Sequence, residues 1–369
     1  MRIGIDLSIT KINQAGTGIY AASIYSALQA LDTAHTFVPF IINRERAMGQ
    51  PKTLVSRIGT LYQDLIWGQA LVPFQAARHK VDLLHIPTGL APLVKNCPTV
   101  LSIMDVSVLK MPQYFPAWQR TYARVVLPRS ARQAKAILTI SEFSKKEIVE
   151  WLQVPPERVA VTYLSVSPKF CEIDDVVAKE LLAPYHLESP FILTVGTLEP
   201  RKNITGLLKA FATLKKNGCT HQLVHVGSKG WLYDDILELV HELNLVNDVH
   251  FLGRQPLDTL VAFYNQADVF VYPSLYEGFG LPVLEAMNCG CPVVTSNVSS
   301  LPEVIGEAGL QVNPLDTQEI ATAIEKVLND KDLAIQMRQN GLMRAREFSW
   351  QRCAQETIDV YEQVVGRSS

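Results

Sequence analysis

What most constrains the fold of this chain is an alternation that runs from end to end. Short β-branched runs are separated by longer stretches with helical spacing. Ile3–Leu7 reads as a strand and a glycine-bearing loop follows it. Ile24, Ala27, Leu28 and Leu31 then recur at helical spacing in a helix from about Ile19. Phe37–Ile42, Leu83–Ile86, Val100–Ile103, Ala136–Ile140 and Val159–Thr162 are further strand candidates, with helices between them as at Glu142–Gln153. Strands joined by crossover helices form a parallel sheet covered on both faces.

The pattern then restarts. Phe191–Val195 is a compact apolar strand ending at Gly196. Asn203 can cap a helix carrying Ile204, Leu207, Leu208, Phe211 and Leu214, with Gly218 just past its end. Strands follow at Leu223–Val226, Val249–Leu252, Val269–Tyr272 and Val293–Thr295. Two series of βα units predict an α/β chain of two Rossmann-like, doubly wound domains. The length of 369 residues agrees, at ~100–200 residues per domain. Open parallel sheets bind ligands beyond the carboxyl ends of their strands, so two such sheets facing each other would form one cleft. The change of domain is expected between Ser165 and Pro190, a stretch with Pro168, Pro184 and the acidic run Glu172-Ile173-Asp174-Asp175. The expected domains are 1–170 with 350–369, and 185–349. Ser349–Val365 reads as one amphipathic helix, with Trp350, Cys353, Ala354, Thr357, Tyr361, Val364 and Val365 along one face.

Composition removes several classes. Hydrophobic residues at 48% and charged residues at 19% are globular, not disordered. A net charge of -2 offers no global positive excess for nucleic acid. The opening MRIGIDLSIT is a strand pattern rather than a secretion signal, and no apolar run approaches the ~20 residues that span a bilayer. The six cysteines form no paired framework and read as reduced thiols in a cytoplasmic protein.

Three stretches carry chemistry. In the first, Pro273–Met287, a strand ends at Tyr272, a glycine-broken loop holds Glu277, and a helix starts near Leu281 with Pro282 in its first turn. Free N–H groups at such a start attract anions. Glu277 in the loop and Glu285 one turn into the helix occupy separate settings. They suit a grip on two parts of one polyhydroxylated ligand better than a matched acid/base pair. Taken singly, an exposed loop carboxylate and a carboxylate offsetting the helix dipole would read the same. The second stretch is Gly196–Ile204, where the adjacent cations Arg201 and Lys202 precede a helix. A guanidinium fork and an ammonium both suit a diphosphate, although a solvated basic loop shares the pattern. The third is Gly16-Thr17-Gly18, read as a loop before the first helix that lets backbone approach a phosphate. It lacks the third glycine of a dinucleotide fingerprint, which sets a NAD-dependent dehydrogenase low.

G-x-L-E-x-R-K-N followed by S-L-Y-E-G-F-G-L-P-V-L-E-A-M resembles the retaining GT-B glycosyltransferases of family GT4, the glycosyl transferases group 1. The family's E-x7-E signature falls on Glu277 and Glu285. Cys289–Val304, Ile140-Ser-Glu-Phe-Ser144 and Val154-Pro-Pro-Glu-Arg158 fit as well. The resemblance implies a nucleotide-sugar-dependent hexosyltransferase. Its C-terminal domain would bind the donor and its N-terminal domain the acceptor, and the last helix would cross back to the N-terminal domain. Arg201 and Lys202 match the pair that neutralises the donor diphosphate, and Glu199 lies in the same donor-binding motif. Glu277 matches the glutamate on the sugar hydroxyls and Glu285 the one on the ribose. Amides of Gly278, Phe279, Gly280 and Leu281 would face sugar and phosphate. Gly16, Thr17 and Gly18 would cover the diphosphate. The loop after Gly227 and the Leu252-Gly253-Arg254 turn would lie near the nucleobase.

One departure stands out. Many relatives carry His-Asp where this chain has Met104-Asp105. Met104 can neither donate a hydrogen bond nor move a proton. Asp105 and His85 are the nearby polar candidates for catalysis or for acceptor or sugar contact. A catalytically silent partner in a biosynthetic complex is the alternative that Met104 raises. Intact Glu277, Glu285, Arg201 and Lys202 stand against it. No metal site is expected, since Cys289-Gly-Cys291 supplies two ligands of a tetrahedral four and Arg and Lys replace a cation on the diphosphate. No tightly bound cofactor is expected beyond the nucleotide-sugar co-substrate. The expected donor is UDP-glucose, with GDP-mannose as the alternative. The expected acceptor is a saccharide or a polyprenyl-diphosphate-linked glycan in cell-surface or exopolysaccharide synthesis. Lys145, Lys146, Arg124, Arg129, Arg132 and Lys135 put positive charge on the N-terminal half. It reads either as solvated helix faces or as peripheral contact with anionic lipid at the inner face of the membrane.

Overall fold

The computed structural model describes residues 1–12, 16–42, 66–89, 91–92, 96–115, 117–187, 190–230 and 234–366. The chain forms two compact units, residues 1–164 with 349–369 and residues 165–348. Each is built around a six-stranded sheet in which every pairing is parallel.

In the first unit the strands are β1 (Arg2–Asp6), β2 (Thr36–Phe40), β3 (Leu83–Ile86), β4 (Thr99–Ser102), β5 (Ala136–Thr139) and β6 (Val159–Val161), in the order β2-β1-β3-β4-β5-β6. Its central strands are buried along their whole length, as apolar runs covered on both faces must be. Gly16 to Gly18 do not form a loop. They are the first turn of the helix Gly16–Ala30, in which Gly18 is buried. Gly16 itself is exposed, with open space where a side chain would project.

The last helix, Trp350–Gly366, belongs to the first unit. Cys353, Ala354, Thr357, Ile358, Tyr361 and Val364 form its buried face, close to the stripe that helical spacing foretold. Trp350 meets Tyr20 with ring centroids 6.4 Å apart. The Tyr361 hydroxyl lies 2.6 Å from His85 Nδ1.

In the second unit the strands are β7 (Phe191–Val195), β8 (Gln222–Val226), β9 (Val249–Phe251), β10 (Val269–Tyr272), β11 (Val293–Ser296) and β12 (Leu310–Val312), in the order β12-β11-β10-β7-β8-β9. The chain runs outward from β7 to β9, returns to β10 and runs outward again to β12. The topological switch point therefore lies between β7 and β10. The helix Ile204–Lys216 covers one face with Leu207, Leu208, Ala210, Phe211 and Leu214. The stretch 165–187, marked by sequence as the change of domain, packs within the second unit. Asp174 caps the helix Asp175–Leu182, Ile173 N–H donates to Asn265 Oδ1 at 2.9 Å, and Glu172 pairs with Arg338 at 2.7 Å. Ser165 donates to the Phe348 carbonyl at 3.0 Å, tying the first and last residues of this unit. Among the described residues, no helix is long and apolar enough to cross a membrane.

Candidate active site

Both charged motifs of the second unit leave adjacent strands at the switch point, where open α/β sheets place ligands. From β7 the chain passes Gly196 and Glu199 into the turn Pro200–Lys202, then Asn203, then the helix. From β10 it passes Tyr272 into the loop that ends at the helix Leu281–Asn288. The loops are laced together. Leu275 N–H donates to the Arg201 carbonyl at 2.9 Å, and Asn203 Nδ2 donates to the carbonyls of Pro273 and Pro314 at 3.1 and 2.6 Å. Asn203 therefore does not cap its helix with its side chain. It stands in the left-handed region at φ 55°, and its amide holds two loops instead. Left-handed backbone is one that asparagine tolerates better than most residues.

The side chains meet in one ion cluster. Arg201 donates to Glu199 Oε1 at 2.6 Å, to Glu277 Oε2 at 3.0 Å and to the Tyr276 carbonyl at 2.7 Å. Lys202 Nζ reaches Glu277 Oε1 at 2.6 Å and the Tyr272 hydroxyl. Tyr272 in turn donates to Glu277 Oε1 at 2.9 Å. Two carboxylates face two cations, so the formal charge of the cluster is zero. Glu277 is only 7% exposed. Burial by itself would raise its pKa. The charges of Arg201 and then Lys202 overcome burial and hold the carboxyl down at about 2. Burial also lowers the Lys202 ammonium, against the pull of Glu277.

Serines beneath the loop fix it. Glu277 N–H donates to Ser299 Oγ at 3.0 Å, and Ser300 Oγ lies 2.9 and 2.8 Å from the Glu277 and Phe279 carbonyls. Phe279 is buried edge-on against Phe348, centroids 5.8 Å apart, so its ring anchors the loop. Gly280 has φ 112°, and a Cβ there would come 2.7 Å from Leu301 Cδ2. Only glycine turns this corner into the helix, which Leu281 opens half-buried. Glu285 stands apart from the cluster, as sequence anticipated. Burial raises its pKa to about 7, and a 2.9 Å hydrogen bond from Tyr264 only partly offsets this.

The other expected residues fall elsewhere. Gly227 follows β8, and its N–H donates to the Gly253 carbonyl at 2.9 Å, so the loops after β8 and β9 meet. Arg254, next in chain, is exposed. In the first unit, Met104 and Asp105 follow β4 half-buried, and Asp105 Oδ1 accepts from Ser107 N–H at 2.8 Å. His85 corrects the expectation of a substrate contact. It is fully buried in β3, its Nε2 is 2.7 Å from Ser102 Oγ, its Nδ1 meets Tyr361, and burial holds its pKa at about 3. A central strand covered on both faces has no surface to offer. Sequence reading missed Tyr272, Ser299 and Ser300 as parts of the site. A tyrosine hydroxyl closing the otherwise nonpolar strand Val269-Phe270-Val271 was the available signal for the first. Nothing local marked the serines, which reach the loop from 22 and 23 residues downstream.

The second unit is thus an open α/β unit with a buried Arg–Lys–Glu cluster at its switch point, followed by a glycine turn into a helix. Residues 184–344 match the family described as glycosyl transferases group 1, and residues 15–170 match Glycosyltransferase Family 4. The chain is 39% identical over 265 residues to O-antigen chain mannosyltransferase B of Escherichia coli, covering 71% of this chain and 70% of that one. It is 35% identical over 243 residues to the serotype-specific mannosyltransferase WbdA of Escherichia coli, covering 64% of this chain but 30% of WbdA. Among solved structures, sucrose-phosphate synthase from Thermosynechococcus elongatus superposes with a TM-score of 0.79 at 23% identity, over the full length of both chains. This chain belongs to the family 4, group 1 glycosyltransferases and has their two-domain GT-B fold. It is a hexosyltransferase.

Proposed function

We propose that the chain transfers a mannosyl group from GDP-mannose to a saccharide or a polyprenyl-diphosphate-linked glycan, in assembly of a cell-surface polysaccharide at the inner face of the membrane. The observation that carries the chemistry is the buried Arg201–Lys202–Glu277 cluster at the switch point. Mannose stands ahead of the glucose expected from sequence because the relatives at 39% and 35% identity are both named mannosyltransferases.

In the transfer, the bond between the sugar anomeric carbon and the diphosphate oxygen breaks as the acceptor oxygen bonds to that carbon. The acceptor proton passes to the departing diphosphate, and the anomeric configuration is retained. Charge develops on the leaving group, and Arg201 and Lys202 are its nearest counterions on this unit. They are preorganised by Glu199 and Glu277, so no reorganisation is needed as charge appears. They also balance the diphosphate in place of a divalent cation. Glu277 stays ionised at any physiological pH and holds the sugar hydroxyls. Glu285 takes the ribose.

Release of nucleoside diphosphate, measured with GDP-mannose and with UDP-glucose, and thermal unfolding with GDP and with UDP test the reading. GDP-mannose should be turned over, and GDP should raise the midpoint. A ligand at 100 times its Kd adds ~2.7 kcal/mol of stability by mass action. Stabilisation by UDP alone, with turnover of UDP-glucose alone, would restore the glucosyl reading.

A further inference from the structure

We propose that Cys219, His221 and Asp268 form a reactive-thiol site, distinct from the glycosyl-transfer site, that takes up small disulfides as a mixed disulfide on Cys219. The three residues lie at the amino-terminal edge of the second unit's sheet. His221 just precedes β8 and Asp268 just precedes β10. The donor motifs leave the carboxyl ends of the same sheet. The helix Ile204–Lys216 separates Arg201 and Lys202 from Cys219, and its 13 residues span ~20 Å.

Local sequence fixes the thiol. Lys216-Asn217-Gly218-Cys219 ends that helix, with Gly218 left-handed at φ 89°. Gly218 N–H donates to the Lys215 carbonyl at 3.1 Å and Cys219 N–H to the Leu214 carbonyl at 3.0 Å. This is the paired closure that a glycine just past a helix end produces, and it comes with apolar contact from the next residue. Cys219 accordingly packs on the core of the unit while remaining half-buried. From this position Sγ lies 3.7 Å from His221 Nδ1. The other ring nitrogen, Nε2, lies 3.1 Å from Asp268 Oδ2. When doubly protonated, an imidazole so placed donates to sulfur on one side and to a carboxylate on the other, the arrangement that activates a thiol nucleophile.

The surrounding charges agree. Lys215 donates to the His221 carbonyl at 3.3 Å and pairs with Asp248 at 2.7 Å, so the helix contributes a cation and the turn before β9 an anion already paired to it. Asp268 raises the imidazole first, Cys219 adds to it, and His221 titrates at about 9. Burial works against ionisation of the thiol. The His221 hydrogen bond and charge, with Lys215, outweigh it and hold Cys219 below the ordinary thiol range. The other cysteines lack this setting. Burial pushes Cys97 up to about 11 and Cys353 to about 12, and raises Cys289 and Cys291 as well. Cys171 is the exposed one, with its sulfur 3.6 Å from the Lys169 carbonyl and no imidazole among its contacts in the fold described.

The step balances without a further oxidant. The Cys219 thiolate attacks one sulfur of the disulfide, a new S–S bond forms, and the old one breaks. The other half leaves as a thiolate that takes a proton from water. Cys219 is oxidised and one half of the small disulfide is reduced.

The test is pulsed alkylation of the reduced full chain across a pH series, with peptide mapping of all six cysteines, followed by exposure to glutathione disulfide. Cys219 should be labelled with a midpoint below the ~8.5 of an ordinary thiol. Near pH 6.5 it should outpace the more exposed Cys171 by roughly tenfold, because the thiolate is the nucleophile. Glutathione should appear first on Cys219. His221→Ala should return the midpoint to the ordinary range and remove the preference. Asp268→Asn, which keeps the shape of the carboxylate, should move the midpoint in the same direction by less. Cys219→Ser should abolish the adduct while leaving nucleotide stabilisation unchanged. If Cys171 is labelled first near pH 6.5, or if the Cys219 midpoint is the same in wild type and Asp268→Asn, there is no built thiol site.

Discussion

At the scale of single residues, the two signature glutamates differ more than their shared motif suggests. Glu277 is locked as an anion by Arg201 and Lys202, whereas Glu285 is held near neutrality by burial. Arg201 touches Glu199, Glu277 and the Tyr276 carbonyl, so its removal acts twice. Arg201→Ala should lower turnover at saturating donor by on the order of 10²–10³, the usual loss for one preorganised donor to developing charge. It should also destabilise the fold, because Glu199 and Glu277 are left buried beside a single cation, Lys202. Wild-type turnover at saturating GDP-mannose would remove Arg201 from the leaving-group role. For Glu285 the sign follows from a folded pKa of about 7 against 4.5 unfolded. The protonated form is favoured by folding, so this contribution is complete below about 4.5 and is lost as pH rises through about 7. Chemical denaturation at pH 5 and pH 8 should therefore show Glu285→Gln gaining stability relative to wild type at the higher pH. An equal difference at both values would show that Glu285 titrates normally.

At the scale of elements, glycines at strand ends shape the floor of the site. Gly196 follows β7 and Gly227 follows β8, and a Cβ on Gly227 would lie 1.7 Å from the Gly196 carbonyl oxygen. Backbone cannot give way by that much while Gly196 N–H still donates to the Val226 carbonyl. Gly218 differs. A Cβ there meets nothing within 4 Å, and only its φ of 89° opposes a side chain. Gly218→Ala should cost roughly 1 kcal/mol, the scale of a left-handed alanine. Gly227→Ala should cost several times more or fail to fold. Comparing the two midpoints in urea decides it, and equal losses would mean that the close approach is relieved by movement. Elements were largely legible in sequence. β3, β7 and β10 have the bounds their apolar runs suggested, because a buried parallel strand is a continuous apolar run. β12 was not read, since Leu310-Gln311-Val312 is too short for any periodicity to register. The first turn of Gly16–Ala30 does not register in sequence as helix, because two of its three opening residues are glycines, which have weak helix propensity.

At the scale of the molecule, the second unit is one continuous segment, residues 165–348, and contains the whole Arg201–Lys202–Glu277–Glu285 constellation. The first unit is completed only by the last helix, whose Tyr361 hydrogen-bonds to a histidine 276 residues earlier. The segment 165–348 expressed alone should therefore fold and keep its stabilisation by GDP. A chain ending at residue 348 should lose the cooperative unfolding of the first unit. Circular dichroism melts with and without GDP check both, and a segment 165–348 that unfolds without a transition would show the units to be interdependent.

Sequence alone determined the class of fold and picked out the motifs proposed to carry the chemistry. Hydrophobic period and length dictate parallel βα units, and the Arg201-Lys202 and Glu277–Glu285 motifs are contiguous in the chain, so local spacing reveals them. Tertiary structure decided what those groups do to one another. Glu277 and its cations are 75 and 76 residues apart, and only the pairing of β7 with β10 brings them within a hydrogen bond. That juxtaposition sets the low pKa of Glu277. The same logic buries His85 and assembles Cys219 with Asp268, 49 positions further along the chain. Charge and desolvation act through space over a few ångströms, and distance along a chain carries no record of them.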